Sequence, residues 1–159
     1  MKLFYSHTSP YARKVRLAIR AKGLLDQVEE IACDAFAPPP ELRAANPLEK
    51  IPVLILSDGS SLFDSPVICQ YLDSLSDQLS LFPASDALRW QVLRWAALCD
   101  GLMDSSYNLV MENKRPDNEQ SQEWQDLWQR DIRRILIHLE QSLSELPEGM
   151  SQARLTKLG

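Results

Sequence analysis

Residues Phe4 to Arg20 read FYSHTSPYARKVRLAIR. A short apolar piece passes through Ser-His-Thr-Ser-Pro into a helical pattern. Ala12, Val15, Ala18 and Ile19 share one face, with Arg13, Lys14, Arg16 and Arg20 largely elsewhere, which predicts a helix over Tyr11–Lys22. Gly23 supplies a stop. Lys2–Tyr5 reads as a short strand before this helix and Val28–Ala32 as a second strand after it. Strand, helix and strand in succession make the first half an α/β layer.

The pattern continues outward from that unit. Three consecutive prolines make Ala35–Pro40 a loop, and a short helix follows at Glu41–Ala45. Val53–Leu56 reads as a strand, Ser57-Asp58-Gly59-Ser60 as a turn with Gly59 left-handed, and Ser61–Phe63 as the return strand. A helix is expected over Ser65–Ser74. Leu81-Phe82-Pro83 reads as a linker, and no strand signal follows it. Long helices are expected over Ser85–Asn113 and Glu123–Leu146, joined by Arg115–Asn118 as an antiparallel pair. The expected domains are residues 1–76 (α/β) and 84–159 (all-helical). Ser151–Gly159 begins another helical pattern and stops, so the helical half reads as truncated.

Composition narrows the function. A net charge of −5 argues against a nucleic-acid binder and against an anionic membrane surface as partner. Cys33, Cys69 and Cys99 are widely spaced and form no CxxC, so neither a disulfide framework nor a thiolate metal site is expected. The chain opens without the long apolar region of a signal peptide, and no apolar run reaches membrane length. A cytoplasmic location is expected.

The opening motif recurs. Thr8-Ser9-Pro10 precedes the first helix and Asp64-Ser65-Pro66 the third. Serine is a good N-cap and proline a good first helical residue. The third helical positions, Ala12 and Ile68, cannot complete a capping box, so free N–H groups remain at the positive end of each helix. Such an end can hold an anion or stabilise a thiolate, although most Ser–Pro starts are only caps. Between them lies Asn46-Pro47-Leu48-Glu49-Lys50-Ile51-Pro52-Val53-Leu54, where periodicity alone favours a trans bond before Pro52. A cis bond would turn the Ile51 backbone outward, toward an extended peptide.

SPYARKVRLAIRAKGL, NPLEKIPVL and FDSPVICQYLD, in that order, resemble the N-terminal half of glutathione S-transferases, most of all bacterial members with serine at the first helix. The resemblance covers Met1 to about Leu146. It implies a thioredoxin-like domain followed by an all-helical one, with glutathione as co-substrate at their interface. It also implies that Ser9 donates a hydrogen bond to the glutathione sulfur and that Ile51, ahead of a cis Pro52, pairs its backbone with the cysteinyl moiety. Lys50 would lie near the glycyl carboxylate, and Asp64 and Ser65 would hold the γ-glutamyl end. The partners implied are a small electrophile and a second copy of the chain, as a homodimer. The alternatives are a non-catalytic interaction protein of this fold and a glutathione-dependent peroxidase or isomerase.

Other residues read more plainly. His7 is a strand-end surface residue, and His138 is structural. Tyr5 and Tyr11 suit core packing better than thiol activation. Asp100 and Asp104 lie four residues apart on one helix face, which reads as a solvated face or a cleft wall. Met103 and Tyr107 are electrophile-pocket candidates because that helix borders the pocket in the family. Trp90, Trp95, Trp124 and Trp128 fall at helical spacing and read as core and interface packing residues, and the three cysteines as small buried apolar groups.

Overall fold

The computed structural model describes residues 1–77, 80–84 and 86–143. The chain divides into two compact units, Met1–Val92 and Leu93–Gly159.

The first unit is built on a four-stranded sheet in the order β2-β1-β3-β4. Its strands are β1 (Lys2–Tyr5), β2 (Glu29–Ala32), β3 (Val53–Ile55) and β4 (Ser61–Leu62). The helices are α1 (Pro10–Ala21), α2 (Pro40–Ala45) and α3 (Ser65–Ser74). β1 pairs parallel to β2, and α1 makes the crossover between them. β3 runs antiparallel to β1, and the turn around Gly59 (φ 85) returns the chain antiparallel as β4.

Alternation of side chains covers both faces of this sheet. On one face Leu3 and Leu54 pack with Val15, Ala18 and Ile19 of α1 and Ile68, Cys69 and Leu72 of α3. On the other, Phe4 and Val53 pack with Leu42 of α2. The apolar face of α1 is buried as its spacing predicts. The helix ends in a Schellman arrangement: Gly23 adopts φ 67, the Leu24 N–H donates to Ile19 C=O at 2.9 Å, and the Gly23 N–H donates to Arg20 C=O at 3.1 Å.

A helix α4 (Asp86–Asn113) runs from the first unit into the second, where α5 (Gln122–Ser142) follows a short turn at Asp117–Glu119. Ser121 caps α5, its Oγ accepting from the Trp124 N–H at 3.4 Å. Leu146 and the Ser151–Gly159 pattern lie outside the described residues. Trp124 stacks on Trp128 with ring centroids 5.5 Å apart, and Trp90 and Trp124 are 68% and 53% exposed. Their stripes have more apolar width than the described residues cover. Among the described residues no helix is long and apolar enough to cross a membrane.

Candidate functional site

Strand register brings the predicted residues of the first unit together. Phe4 pairs with Val53, so the chain leaving β1 toward Ser9 and the chain entering β3 from Ile51 and Pro52 lie at the same end of the sheet. Leu62 pairs with Leu54, so β4 also exits there, into Asp64 and Ser65. Ser9, Ile51 and Ser65 therefore stand in strand order along one edge. Strand spacing makes the path from the β1 exit to the β4 exit about 10 Å, close to the length of three extended residues.

Ser9 is the N-cap of α1. Its Oγ accepts the Ala12 N–H at 3.2 Å and its C=O accepts the Arg13 N–H at 3.0 Å. A hydroxyl that accepts one bond keeps its own O–H as a donor. The loop before it is pinned from two sides. The Ser9 N–H donates to Ser6 C=O at 3.3 Å, and exposed His7 meets the Tyr5 ring edge-on with centroids 5.2 Å apart. Tyr5 is buried, and the Arg16 guanidinium lies over its ring at 4.3 Å. Glu30 of β2 holds Arg16 at 2.9 Å and Arg20 at 2.9 Å. Burial opposes ionisation of Glu30, but hydrogen bonds from Arg20 and Arg16 hold its carboxyl below its ordinary value.

The second helix start differs from expectation by one residue. The Ile68 N–H donates to Asp64 C=O at 3.0 Å, which makes Asp64 the N-cap and Ser65 the first helical residue. Asp64 makes no side-chain cap bond. Ser65 is buried to 1% exposure, and among the described residues its hydroxyl has no hydrogen-bond partner. Neither do the Ser65 and Val67 N–H groups, among the described residues. Three donors thus lie at the positive end of α3, a helix end that favours negative charge.

Between these starts, the Ile51–Pro52 peptide bond is cis, where periodicity favoured trans. The Phe63–Asp64 bond is cis as well. Among the described residues the Ile51 N–H and C=O have no partner. Lys50 is exposed beside them, and Pro52 is buried. Asn46, which sequence reasoning passed over, is 1% exposed and ties this turn together: its Oδ1 accepts the Leu48 N–H at 3.0 Å and its Nδ2 donates to Lys50 C=O at 2.9 Å.

Met103 and Tyr107 lie one turn apart on α4 in the second unit, the first half-buried and the second exposed, and the sheet register does not bear on them. Cys33 follows β2 at the same end of the sheet as Ser9, but burial and then the Asp34 carboxylate push its thiol above the ordinary value, opposite to an activated nucleophile. A cleft of about 430 Å³ lined by Met1, Gln27, Leu56, Ser57, Asp58, Tyr71 and Leu75 lies at the opposite end of the strands and contains none of the predicted residues.

Comparison with known proteins gives this arrangement a class. Residues 8–75 match the family model of the glutathione S-transferase N-terminal domain. A glutathione S-transferase from Methylobacillus flagellatus KT, solved with glutathione bound, is 40% identical with a TM-score of 0.85, covering 90% of this chain and 70% of its own. A glutathione transferase family member from Pseudomonas fluorescens Pf-5, also solved with bound glutathione, is 38% identical with a TM-score of 0.85, over 91% of this chain and 72% of its own. An uncharacterized GST-like protein of Escherichia coli K12, YibF, is 34% identical over 124 residues, which is 77% of this chain and 60% of YibF. The chain belongs to the glutathione S-transferase family, with a thioredoxin-like sheet unit and a helical unit. It spans less than two thirds of the length of YibF.

Proposed function

We propose that this protein is a glutathione transferase that presents the glutathione thiolate, held by Ser9, to a small electrophile. The observation that carries this reading is the edge formed by Ser9, the unpaired Ile51 backbone and the three donors at Ser65. Glutathione is an extended anionic tripeptide. It needs a carboxylate site at its γ-glutamyl end, a backbone partner for its cysteine and a donor beside its sulfur. Ser65 serves the first, with Asp64 facing the γ-glutamyl ammonium. Ile51, ahead of Pro52, serves the second and Ser9 the third. Lys50 lies toward the glycyl carboxylate. In the reaction the thiol proton leaves to solvent, the thiolate forms the bond to the electrophilic carbon, and any leaving group departs with its electron pair. A hydroxyl donor at the positive end of α1 favours the thiolate, and each unit by which the thiol pKa falls is worth about 1.4 kcal/mol.

The electrophile wall, with Met103 and Tyr107 as candidates, the homodimer, the cytoplasmic location and the 1–76 and 84–159 domain division belong to the same proposal. Titration calorimetry with glutathione, followed by thiol transfer to an aromatic halide, tests it. Binding is expected in the micromolar to millimolar range, with transfer that Ser9→Ala reduces at least about tenfold. No heat at millimolar glutathione sinks the reading. Binding without transfer to any electrophile supports the non-catalytic alternative.

A further inference from the structure

We infer that Asn46 is a positioning residue for glutathione, acting through a left-handed Glu49 to hold the Ile51 backbone open. This rests on the proposed glutathione site. Asn46 is the C-cap of α2, and its own N–H donates to Leu42 C=O at 2.9 Å. From that fixed point it closes the following turn three times. Oδ1 takes the Leu48 N–H, its backbone C=O takes the Glu49 N–H at 2.9 Å, and Nδ2 reaches Lys50 C=O. The Ser61 Oγ donates to Ala45 C=O at 2.6 Å and ties the base of the turn to β4.

The geometry this imposes is costly locally. Glu49 sits at φ 53, a conformation side-chain-bearing residues rarely adopt, and it is the one such non-glycine position among the described residues. Leu48, Glu49 and Lys50 are exposed, so water can hydrate this turn in other conformations as well. Its consequence falls on the next residue. With the Lys50 carbonyl bonded to Asn46, the chain enters Ile51, whose N–H and C=O have no partner among the described residues. A ligand that reads those two groups binds only the fraction of molecules in which the turn is closed.

Asn46→Ala removes two side-chain hydrogen bonds, together worth about thirtyfold in the closing equilibrium, and the glutathione dissociation constant rises by the factor by which the closed fraction falls, expected to be about fivefold or more. Glu49→Gly accepts the left-handed conformation without penalty. Alone it binds glutathione as the wild type does or somewhat better, and in the Asn46→Ala background it recovers about fivefold. Glu49→Val opposes the conformation with Asn46 intact and also weakens binding. Calorimetric titration with glutathione on the four variants, beside their melting temperatures, is the test. A purely structural Asn46 predicts loss of melting temperature with no rescue of binding by Glu49→Gly, and that result overturns the inference. Should Asn46→Ala fail to fold, Glu49→Val decides: unchanged binding overturns the inference, weakened binding supports it. Absent binding in the wild type instead removes the glutathione reading itself, and this inference with it.

Discussion

The Lys22 ammonium, 1% exposed at the end of α1, donates to Asp73 Oδ1 of α3 at 2.9 Å and to Ser76 C=O at 2.6 Å. Asp73 in turn accepts the Leu81 N–H at 2.8 Å and the Phe82 N–H at 2.9 Å. One carboxylate therefore joins the C-terminal ends of both helices on this face of the sheet to the segment that leads to α4. Removing it takes a 2.9 Å ion pair from a buried ammonium, so Asp73→Ala is expected to cost about 3–5 kcal/mol. Lys22→Met leaves Asp73 with two backbone donors and adds apolar contact, so it is expected to cost about 1–2 kcal/mol less than Asp73→Ala. Urea denaturation of the two variants checks the order, and the reverse order would contradict the role given to Asp73.

The same carboxylate sets an acid limit. Burial opposes its ionisation, but the Leu81 N–H, Lys22 and the Phe82 N–H prevail and hold the Asp73 carboxyl below its ordinary value. Glu30 is lowered likewise by Arg20 and Arg16 against its own burial. Both groups bind protons more weakly folded than unfolded. Their contribution is complete above the unfolded values of about 4 and disappears as pH falls from there through the folded values. Stability is therefore expected to be flat in this respect from neutral pH to about 5 and to fall below about 4. Melting scans from pH 7 to pH 3 on the wild type and on a Glu30→Gln, Asp73→Asn double variant test this. An equally steep acid limb in the double variant would show that other groups cause it.

How legible was this in the sequence? The α1 stripe was read fully, because four apolar residues at helical spacing have no better use than a core. The two-faced sheet was legible through Leu3-Phe4 and Val53-Leu54, adjacent apolar pairs that alternate to opposite faces. The Lys22–Asp73 pair was not legible: a lysine at a helix end reads as a solvated charge, and its partner lies 51 residues away. Ser65 reads as the cap because proline favours the first helical position, whereas in the structure Asp64 takes the cap and Pro66 the second position. Asn46 was hidden for a related reason, since Asn-Pro reads as an ordinary turn and only the fold shows the amide turned inward. The edge that gathers Ser9, Ile51 and Ser65 depends on register, which periodicity alone does not supply.

Glu112 sets a test for the helical unit by itself. Near the end of α4 it is 8% exposed, and its carboxylate accepts the Ser121 N–H at 2.7 Å and the Arg115 guanidinium at 3.3 Å. It thus fastens the residue that caps α5 back to α4. Glu112→Ala leaves that N–H without its acceptor and is expected to cost about 1–3 kcal/mol, whereas Glu112→Gln keeps an acceptor oxygen and costs about half as much. Arg115→Ala, on a guanidinium that is half exposed, is expected to cost under about 1 kcal/mol. Helical circular dichroism during urea denaturation measures all three. Equal losses for the alanine and glutamine variants would remove the Ser121 bond from the explanation.

The two helix-start serines make opposite predictions, because one hydroxyl is used within the fold and the other is not. Ser9→Ala deletes the acceptor of the Ala12 N–H and is expected to destabilise by about 1 kcal/mol, as N-cap losses do. Ser65→Ala deletes a hydroxyl that makes no hydrogen bond among the described residues and is not an enclosed unpaired atom, so stability is expected to stay within about 0.5 kcal/mol. Ligand effects should divide the other way. Ser65→Ala weakens glutathione binding several-fold by removing a carboxylate donor, while thiolate formation by the glutathione that still binds is unchanged. Ser9→Ala leaves most of the binding in place and lowers the thiolate fraction seen by ultraviolet absorbance near neutral pH. Thermal denaturation, calorimetric titration and thiolate absorbance on the same two proteins separate these effects. If Ser65→Ala proves the less stable variant and Ser9→Ala the weaker binder, the assignment of a structural and chemical role to Ser9 and a ligand role to Ser65 is reversed.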